Sequence, residues 1–137
     1  MKKSMKRLAA LMMALAVVLV SALAPVVTAE AATALSGKKY IYFQDKHSWG
    51  SKLNVHSWVP NGAGTSWPGE KAVYVGKNDN MDFYRVIIDS TKTMIIFNNG
   101  SKQTVDLSLP TSGTHIAFWI SNSETDSKYT GGNWILK

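Results

Sequence analysis

The sequence predicts an all-β fold, an immunoglobulin-like antiparallel β-sandwich of about seven or eight strands. Short runs rich in β-branched and aromatic residues recur after position 39, and all 14 aromatic residues of the chain lie there. Turn signals rich in glycine and asparagine separate these runs at near-regular spacing. No segment of this part combines a helical repeat of apolar residues with capping residues.

Eight runs are predicted as strands because each is bounded by turn-forming residues. The turn signals include Asn61-Gly62-Ala63-Gly64, Asn98-Asn99-Gly100 and Gly131-Gly132, where glycine permits a left-handed backbone. A short lead-in at 32–38 precedes the first strand, so the predicted domain spans 39–137. The predicted strands are Tyr40–Gln44, Leu53–Val59, Ala72–Gly76, Phe83–Asp89, Thr93–Phe97, Thr104–Leu109, His115–Ile120 and Asn133–Leu136.

Residues 1–31 have the pattern of a secretory signal peptide. Basic residues precede an apolar run from Leu8 to Ala24, and Ala-x-Ala cleavage sequences then end at Ala31 and Ala34. A permanent membrane anchor is the alternative, but the apolar run is short for crossing a bilayer. We therefore expect cleavage after Ala31 or Ala34 and a secreted, extracellular domain that has no membrane contact after cleavage.

The charge and the cysteine count exclude several classes of partner. The net charge is +6, but without residues 1–31 only 11 basic and 8 acidic residues remain, a net charge of +3. The lysines of this remainder are spread along the chain without a basic cluster, which argues against nucleic acid as a partner. The chain has no cysteine and three histidines. Disulfides and a Cys-based zinc site are therefore excluded, and no metal or cofactor is predicted.

The sequence shows no catalytic motif. No serine stands in a Gly-x-Ser-x-Gly sequence, and no histidine has a cysteine partner. Paired carboxylates for glycoside cleavage are conceivable, but a domain of about 100 residues has little room for a cleft around two of them. Asn78–Asp82 carries alternating oxygen ligands like a calcium loop but lacks the EF-hand glycine and glutamate. A polar hairpin turn is favoured there, and the chain is predicted not to be an enzyme.

An aromatic face is predicted on the second strand. Alternation places Asn54, His56 and Trp58 on one side of this strand and Val55 on the other. Trp67 follows after a short loop, next to Pro68, which restricts its backbone. Rigid indoles beside polar groups suit a pyranose ring, because its C–H face can stack on an aromatic face while its hydroxyls take hydrogen bonds. Packing of both tryptophans in the core or at its rim is the alternative, and alternation does not decide between the two.

The other large aromatic residues are predicted to be structural. Trp119 alternates away from Phe118, so one of the two should be exposed or lie against a loop. Trp134 is expected to close the last strand against the sandwich. Residues expected to fill the core or cap its end are Trp49, Phe83, Phe97 and Phe118.

The first two thirds of the predicted domain resemble a starch-binding module of carbohydrate-binding family 26, which has relatives in family 25. The motifs that carry the resemblance are Tyr42-Phe43, Trp49-Gly50, Leu53–Trp58, Trp67-Pro68-Gly69-Glu70-Lys71 and Ile95–Gly100, followed by Gln103-Thr104 and Asp106-Leu107. The resemblance extends from Lys39 to Leu107, and more loosely beyond. It implies a β-sandwich that binds α-1,4-glucans, in a family usually appended to secreted bacterial amylases.

The resemblance also implies carbohydrate-binding roles for His56, Trp58, Trp67 and Gln103. The family usually has a second aromatic where this chain has His56, which would exchange stacking for a hydrogen bond. Polar sugar contacts are common after the Phe97 strand. Gln103 is there evenly balanced between a sugar contact and solvated surface, Lys102 is a weaker candidate, and for Asn99 turn formation is favoured. An inclined aromatic pair would match coiled amylose, whereas a flat row would match cellulose.

Two main hypotheses follow. The favoured one is a secreted, non-catalytic module that binds starch and maltooligosaccharides, with a separate secreted amylase as a candidate partner because the chain carries no catalytic domain of its own. The alternative is an extracellular protein-interaction module, adhesin-like or amylase-inhibitor-like, that uses the same aromatic face. A minimal glycosidase is a third hypothesis, and the sequence leaves calcium dependence open.

Overall fold

The computed structural model describes residues 35–136, so the predicted signal peptide lies outside the described residues. The described residues form nine strands and one short 3-10 turn, Gly50–Lys52, and two of the strands have only two residues. No helix within this range is long and apolar enough to cross a membrane. The strands are β1 Lys38–Gln44, β2 Asn54–Trp58, β3 Glu70–Lys71, β4 Val73–Asn78, β5 Met81–Asp89, β6 Met94–Asn98, β7 Leu107–Ser108, β8 His115–Thr125 and β9 Lys128–Ile135.

The strands form two sheets, which confirms the predicted all-β sandwich. The five-stranded sheet has the order β9-β8-β1-β5-β4, and the four-stranded sheet has the order β3-β2-β6-β7. Neighbouring strands are antiparallel except for β1 and β8, which run parallel with Tyr40 opposite His115 and Phe43 opposite Phe118. Hairpins force antiparallel pairing only on strands that follow each other. Since β1 and β8 are far apart in the chain, their direction was not predictable from the pattern.

The inward side chains of both sheets form one core, as strand alternation predicts. Phe43 of β1 stacks against Phe97 of β6 with ring centroids 4.5 Å apart. Trp49 packs against the other side of Phe43 at 5.6 Å, and Phe97 also contacts Phe118 of β8. Trp49, Phe97 and Phe118 are therefore core residues, as predicted.

The outer side of the five-stranded sheet carries a second layer of aromatic residues. Phe83 is buried there beside Tyr42, with ring centroids 5.3 Å apart, and Trp134 lies against Phe83. Trp119 is 46% exposed whereas Phe118 is buried, so the prediction that one of these neighbours faces solvent is confirmed.

The prediction of a turn at Gly131-Gly132 is wrong, because both glycines lie inside β9. Gly132 is opposite Trp119, and a Cβ atom at Gly132 would lie only 2.6 Å from Cζ2 of that indole. Gly132 therefore leaves room for the indole, whereas a Cβ atom at Gly131 would lie 2.4 Å from the carbonyl oxygen of Trp119. The actual reversal between β8 and β9 occurs at Asp126 and Ser127, whose φ angles are 52° and 64°.

We expect Gly132→Ala to destabilise the fold by about 1–3 kcal/mol, because the added methyl group overlaps the Trp119 indole. The effect should largely vanish when Trp119→Ala is already present, since the clashing ring is then absent. Urea unfolding of the two single variants and the double variant measures this coupling. Equal losses in both backgrounds would show that the methyl group is strained against something other than the indole.

The Asn78–Asp82 segment forms a tight hairpin turn between β4 and β5. Asp79 and Asn80 have φ angles of 50° and 63°, as in type I′ hairpin turns. The Asp82 carboxylate accepts a hydrogen bond from Nζ of Lys77 at 2.8 Å, which raises the pKa of that lysine. No group of three or more His, Asp or Glu side chains among residues 35–136 is placed to hold a metal ion.

Candidate functional site

Strand β2 has one buried face and one half-exposed face. Val55 and Ser57 point into the sandwich and are almost completely buried, whereas His56 and Trp58 are half-buried on the outer side of the four-stranded sheet. Asn54 shares that outer side but is only 7% exposed, and its amide donates to the Lys52 carbonyl at 3.0 Å. The predicted alternation therefore holds, but the Asn54 side chain is covered.

The loop after β2 folds back along the same strand. Val59 N–H donates to the Ala63 carbonyl, and Thr65 N–H donates to the Ser57 carbonyl. Gly64 forms a bridge with Trp58, and a Cβ atom at Gly64 would lie 2.7 Å from the Trp58 Cβ. This return path brings Trp67, nine residues after Trp58, back to the face that Trp58 occupies.

His56, Trp58 and Trp67 form one aromatic cluster on this face. The imidazole of His56 is stacked on Trp58 with centroids 5.1 Å apart and planes 24° apart. It meets Trp67 edge-on, with centroids 5.5 Å apart and planes 72° apart. The two indole planes must therefore differ by at least the difference between 72° and 24°, which is 48°. Trp67 is 51% exposed, so much of its ring is open to a ligand.

The Trp67-Pro68-Gly69 segment is fixed to the sheet by Asn98, which belongs to the Ile95–Gly100 motif. The amide of Asn98, which is fully buried, donates to the Pro68 carbonyl at 2.9 Å and accepts from Gly100 N–H at 3.0 Å. The peptide bond before Pro68 is cis. At Gly69, where φ is +107°, a Cβ atom would lie 2.1 Å from the Val55 carbonyl oxygen. The Trp67–Gly69 segment and the Ile95–Gly100 motif are therefore in direct contact, and Asn98 holds the Trp67 loop.

We expect Asn98→Asp to lower the free energy of unfolding by about 2 kcal/mol or more, because it replaces a buried donor with a carboxylate that faces the Pro68 carbonyl. Asn99→Asp is the matched control, since Asn99 Oδ1 only accepts hydrogen bonds, from the N–H groups of Ser101 and Lys102. Thermal unfolding of both variants gives the comparison. A similar Tm for the two variants would contradict the anchoring role of Asn98.

Gln103 shares the outer face but lies away from the aromatic cluster. It pairs with Asn98 in an isolated bridge, on the side of β6 that faces away from β2. Its amide makes one long hydrogen bond, to the Thr104 carbonyl at 3.4 Å. Paired residues of antiparallel strands project from the same side of a sheet, so Gln103 is roughly 10 Å from Asn54 across two strand spacings.

The two other polar candidates after β6 have local partners. Nζ of Lys102 lies 2.8 Å from the Glu124 carboxylate, and this hydrogen bond raises the pKa of Lys102. Asn99 shapes the turn through the two hydrogen bonds described above, as the sequence favoured. Gln103 is thus the one member of this trio whose side chain is not committed to an ion pair or to the turn.

The surroundings of the aromatic cluster suit a neutral ligand. Ile96 is paired with His56 and Met94 with Trp58, so apolar side chains lie beside the rings. Lys71, which is paired with Asn54 on the neighbouring strand, donates to the Ser51 carbonyl at 2.8 Å. Thr65, whose hydroxyl lies 2.8 Å from Nδ1 of His56, belongs to no motif and could not be identified from the sequence. Asn98 belongs to the Ile95–Gly100 motif, but its partner Pro68 is 30 positions away and could not be identified from spacing.

The family model described as Starch-binding module 26 matches residues 41–109. This range includes the Trp67–Gly69 segment, the Ile95–Gly100 motif and the whole aromatic cluster. Among curated proteins, none matches the chain significantly.

Solved structures with a similar chain path are more distant. The CBM25-1 module of the β/α-amylase from Paenibacillus polymyxa has 20% sequence identity and a TM-score of 0.44, over 70% of this chain and 92% of that one. CBMbc (family CBM26) from Eubacterium rectale Amy13K, solved in complex with maltoheptaose, has 17% identity and a TM-score of 0.48 over 71% of this chain. This chain spans about half of that protein, 48%.

The family match is the finding that identifies the chain, because it covers half of the sequence. It also agrees with the motifs that β2, β6 and the Trp67 loop bring together. The chain belongs to the starch-binding module 26 family, whose members are non-catalytic carbohydrate-binding modules.

Proposed function

We propose that this protein is a secreted module that binds α-1,4-glucans by stacking glucose rings on Trp58 and Trp67. His56, between the two indoles, supplies a hydrogen bond to a sugar hydroxyl, and Gln103 contributes a further polar contact at the far side of Asn98. The ligands are starch and maltooligosaccharides, and a separate secreted amylase is the candidate partner that would use the bound polysaccharide.

The observation that carries the proposal is the inclination of the two indole planes, at least 48° from the two measured angles of 24° and 72°. Successive glucose units of an α-1,4-glucan turn relative to each other, so two stacked units need inclined platforms. A flat cellulose chain would need coplanar rings. The neutral, partly apolar surroundings of the cluster also favour an uncharged sugar over a charged ligand.

A site of this size is expected to bind weakly, with a Kd of roughly tens of micromolar to millimolar, because two or three stacked sugars bury little area. Tight retention on granules would then depend on several modules acting together. Binding assays must therefore use high protein concentration or immobilised starch.

The proposal is tested by retention of residues 32–137 on granular starch and on cellulose. We expect retention on starch alone, release by maltoheptaose, and loss in the Trp58→Ala/Trp67→Ala double variant. Trp119→Ala is the matched control, because it removes an exposed indole from the other sheet. Failure of the folded wild-type protein to bind starch would overturn the proposal. Protein-dependent binding that maltoheptaose does not displace would favour the protein-interaction hypothesis.

Secretion is tested separately by expressing the full chain in a bacterial host. We expect the protein in the medium to begin at Ala32 or Leu35, as read by N-terminal sequencing, because cleavage follows Ala31 or Ala34. Recovery of the intact chain in the membrane fraction would show that the leader is a permanent anchor.

A further inference from the structure

The Thr65 hydroxyl contacts two consecutive residues of β2. Its Oγ1 atom lies 3.2 Å from Ser57 N and 2.8 Å from Nδ1 of His56. Thr65 is also fixed through its backbone, because its N–H donates to the Ser57 carbonyl at 3.0 Å. The hydroxyl therefore has a defined position against the imidazole, independent of any ligand.

The proton arrangement follows from the chemistry of a hydroxyl, which has one hydrogen to donate and two lone pairs to accept with. A backbone N–H can only donate, so Oγ1 accepts from Ser57. If Nδ1 of His56 carried a proton, Oγ1 would accept a second time, and its own hydrogen would have no acceptor within residues 35–136. If Nδ1 is bare, the hydroxyl donates to it, and each hydrogen at the Thr65 contact has an acceptor.

The other ring nitrogen of His56 is left without a protein partner among the described residues. Within the described chain, Nε2 of His56 has no hydrogen-bond partner, whereas Nδ1 is bonded to Thr65. The ring itself is confined by the stacked Trp58 at 5.1 Å and the edge-on Trp67 at 5.5 Å. A ring that is confined in this way and bare at Nδ1 presents an N–H at Nε2 in one direction.

We infer that Thr65 is a positioning residue that holds neutral His56 in its Nε2–H form, so that the cluster offers a fixed hydrogen-bond donor to a sugar oxygen. This inference rests on the proposed function for its consequence in binding, but the tautomer itself is a property of the free protein. The chemical group recognised is an acceptor oxygen of a glucose unit that lies between Trp58 and Trp67.

The test combines ¹⁵N NMR of the His56 ring with affinity for maltoheptaose, in the wild-type protein, Thr65→Val and Thr65→Ser. Spectra are taken at about pH 8, where an imidazole is ordinarily neutral. We expect a bare Nδ1 and a protonated Nε2 in the wild type and in Thr65→Ser, and a mixture of tautomers in Thr65→Val. Affinity should fall about twofold in Thr65→Val for an equal mixture, because only the Nε2–H fraction of the rings offers the donor, and return in Thr65→Ser.

Each outcome decides a separate statement. A wild-type spectrum with a protonated Nδ1 overturns the inference even if Thr65→Val fails to fold. The expected tautomer together with unchanged affinity in Thr65→Val overturns the role of Thr65 in binding. If the wild-type protein shows the expected tautomer but binds no maltoheptaose, the proposed function fails while the assignment of the proton stands.

Discussion

Replacing Trp67 by alanine is expected to weaken binding of maltoheptaose by about tenfold or more, equivalent to about 1.4 kcal/mol. The indole is 51% exposed, so a stacked sugar would lose its platform while the fold loses little. The free energy of unfolding of the Trp67→Ala variant should differ from that of the wild type by less than about 1 kcal/mol. Trp58→Ala should weaken binding similarly, with a larger loss of stability because Trp58 is half-buried and stacked on His56. Isothermal titration and urea unfolding measure the two effects independently.

Two comparisons make this prediction specific. Trp67→Phe keeps an aromatic ring and should retain most of the affinity, whereas Trp119→Ala should leave affinity unchanged. Wild-type affinity in both Trp58→Ala and Trp67→Ala would rule out the aromatic cluster as the sugar site. Loss of binding in Trp119→Ala would instead place the site on the outer face of the five-stranded sheet.

Gly69→Ala is expected to have the largest effect on the fold of any single substitution in the binding loop. A Cβ atom at this position would lie 2.1 Å from the Val55 carbonyl oxygen and 2.7 Å from the His56 nitrogen, both backbone atoms of β2. The backbone also has φ +107°, in the region that favours glycine. We expect a loss of about 3 kcal/mol or more in the free energy of unfolding, with loss of starch retention because the Trp67 loop must move off the sheet.

Gly100→Ala separates the two causes of that loss. Gly100 has φ +92°, but a Cβ atom there would have nothing within 4 Å. Its loss of stability should reflect backbone strain alone, about 1 kcal/mol, with starch binding preserved. If the two variants are destabilised equally, the close approach of Gly69 to β2 contributes nothing.

The secondary structure was largely predictable because strand alternation and turn chemistry are local. The runs at Tyr40–Gln44 and Phe83–Asp89 coincide with β1 and most of β5, with a tight turn at Asp79 and Asn80. The failure at Gly131-Gly132 has a physical reason. A glycine pair is typical of turns, but here Gly132 makes space for the Trp119 indole and Gly131 lies close to the Trp119 carbonyl oxygen, and a local pattern does not report that partner.

The proposed binding face was predictable in part. Alternation placed His56 and Trp58 on the side away from the core, and Pro68 marked Trp67 as a restricted residue, so the cluster members were identified individually. The angles between their ring planes were not predictable from the sequence. The inclination of at least 48°, the difference between 72° and 24°, depends on how the loop from Val59 to Gly69 returns along β2.

The sequence by itself determined the fold class and the family, and it indicated the residue types of the proposed binding face, because these depend on composition, period and motif. Only the tertiary structure decided which groups meet: Asn98 with Pro68, Thr65 with His56, and β1 with β8 in parallel. These contacts join residues 30, 9 and about 75 positions apart. Hydrogen bonds and ring contacts of this kind depend on loop paths and strand order, and these are set by the packing of the whole sandwich rather than by any one segment.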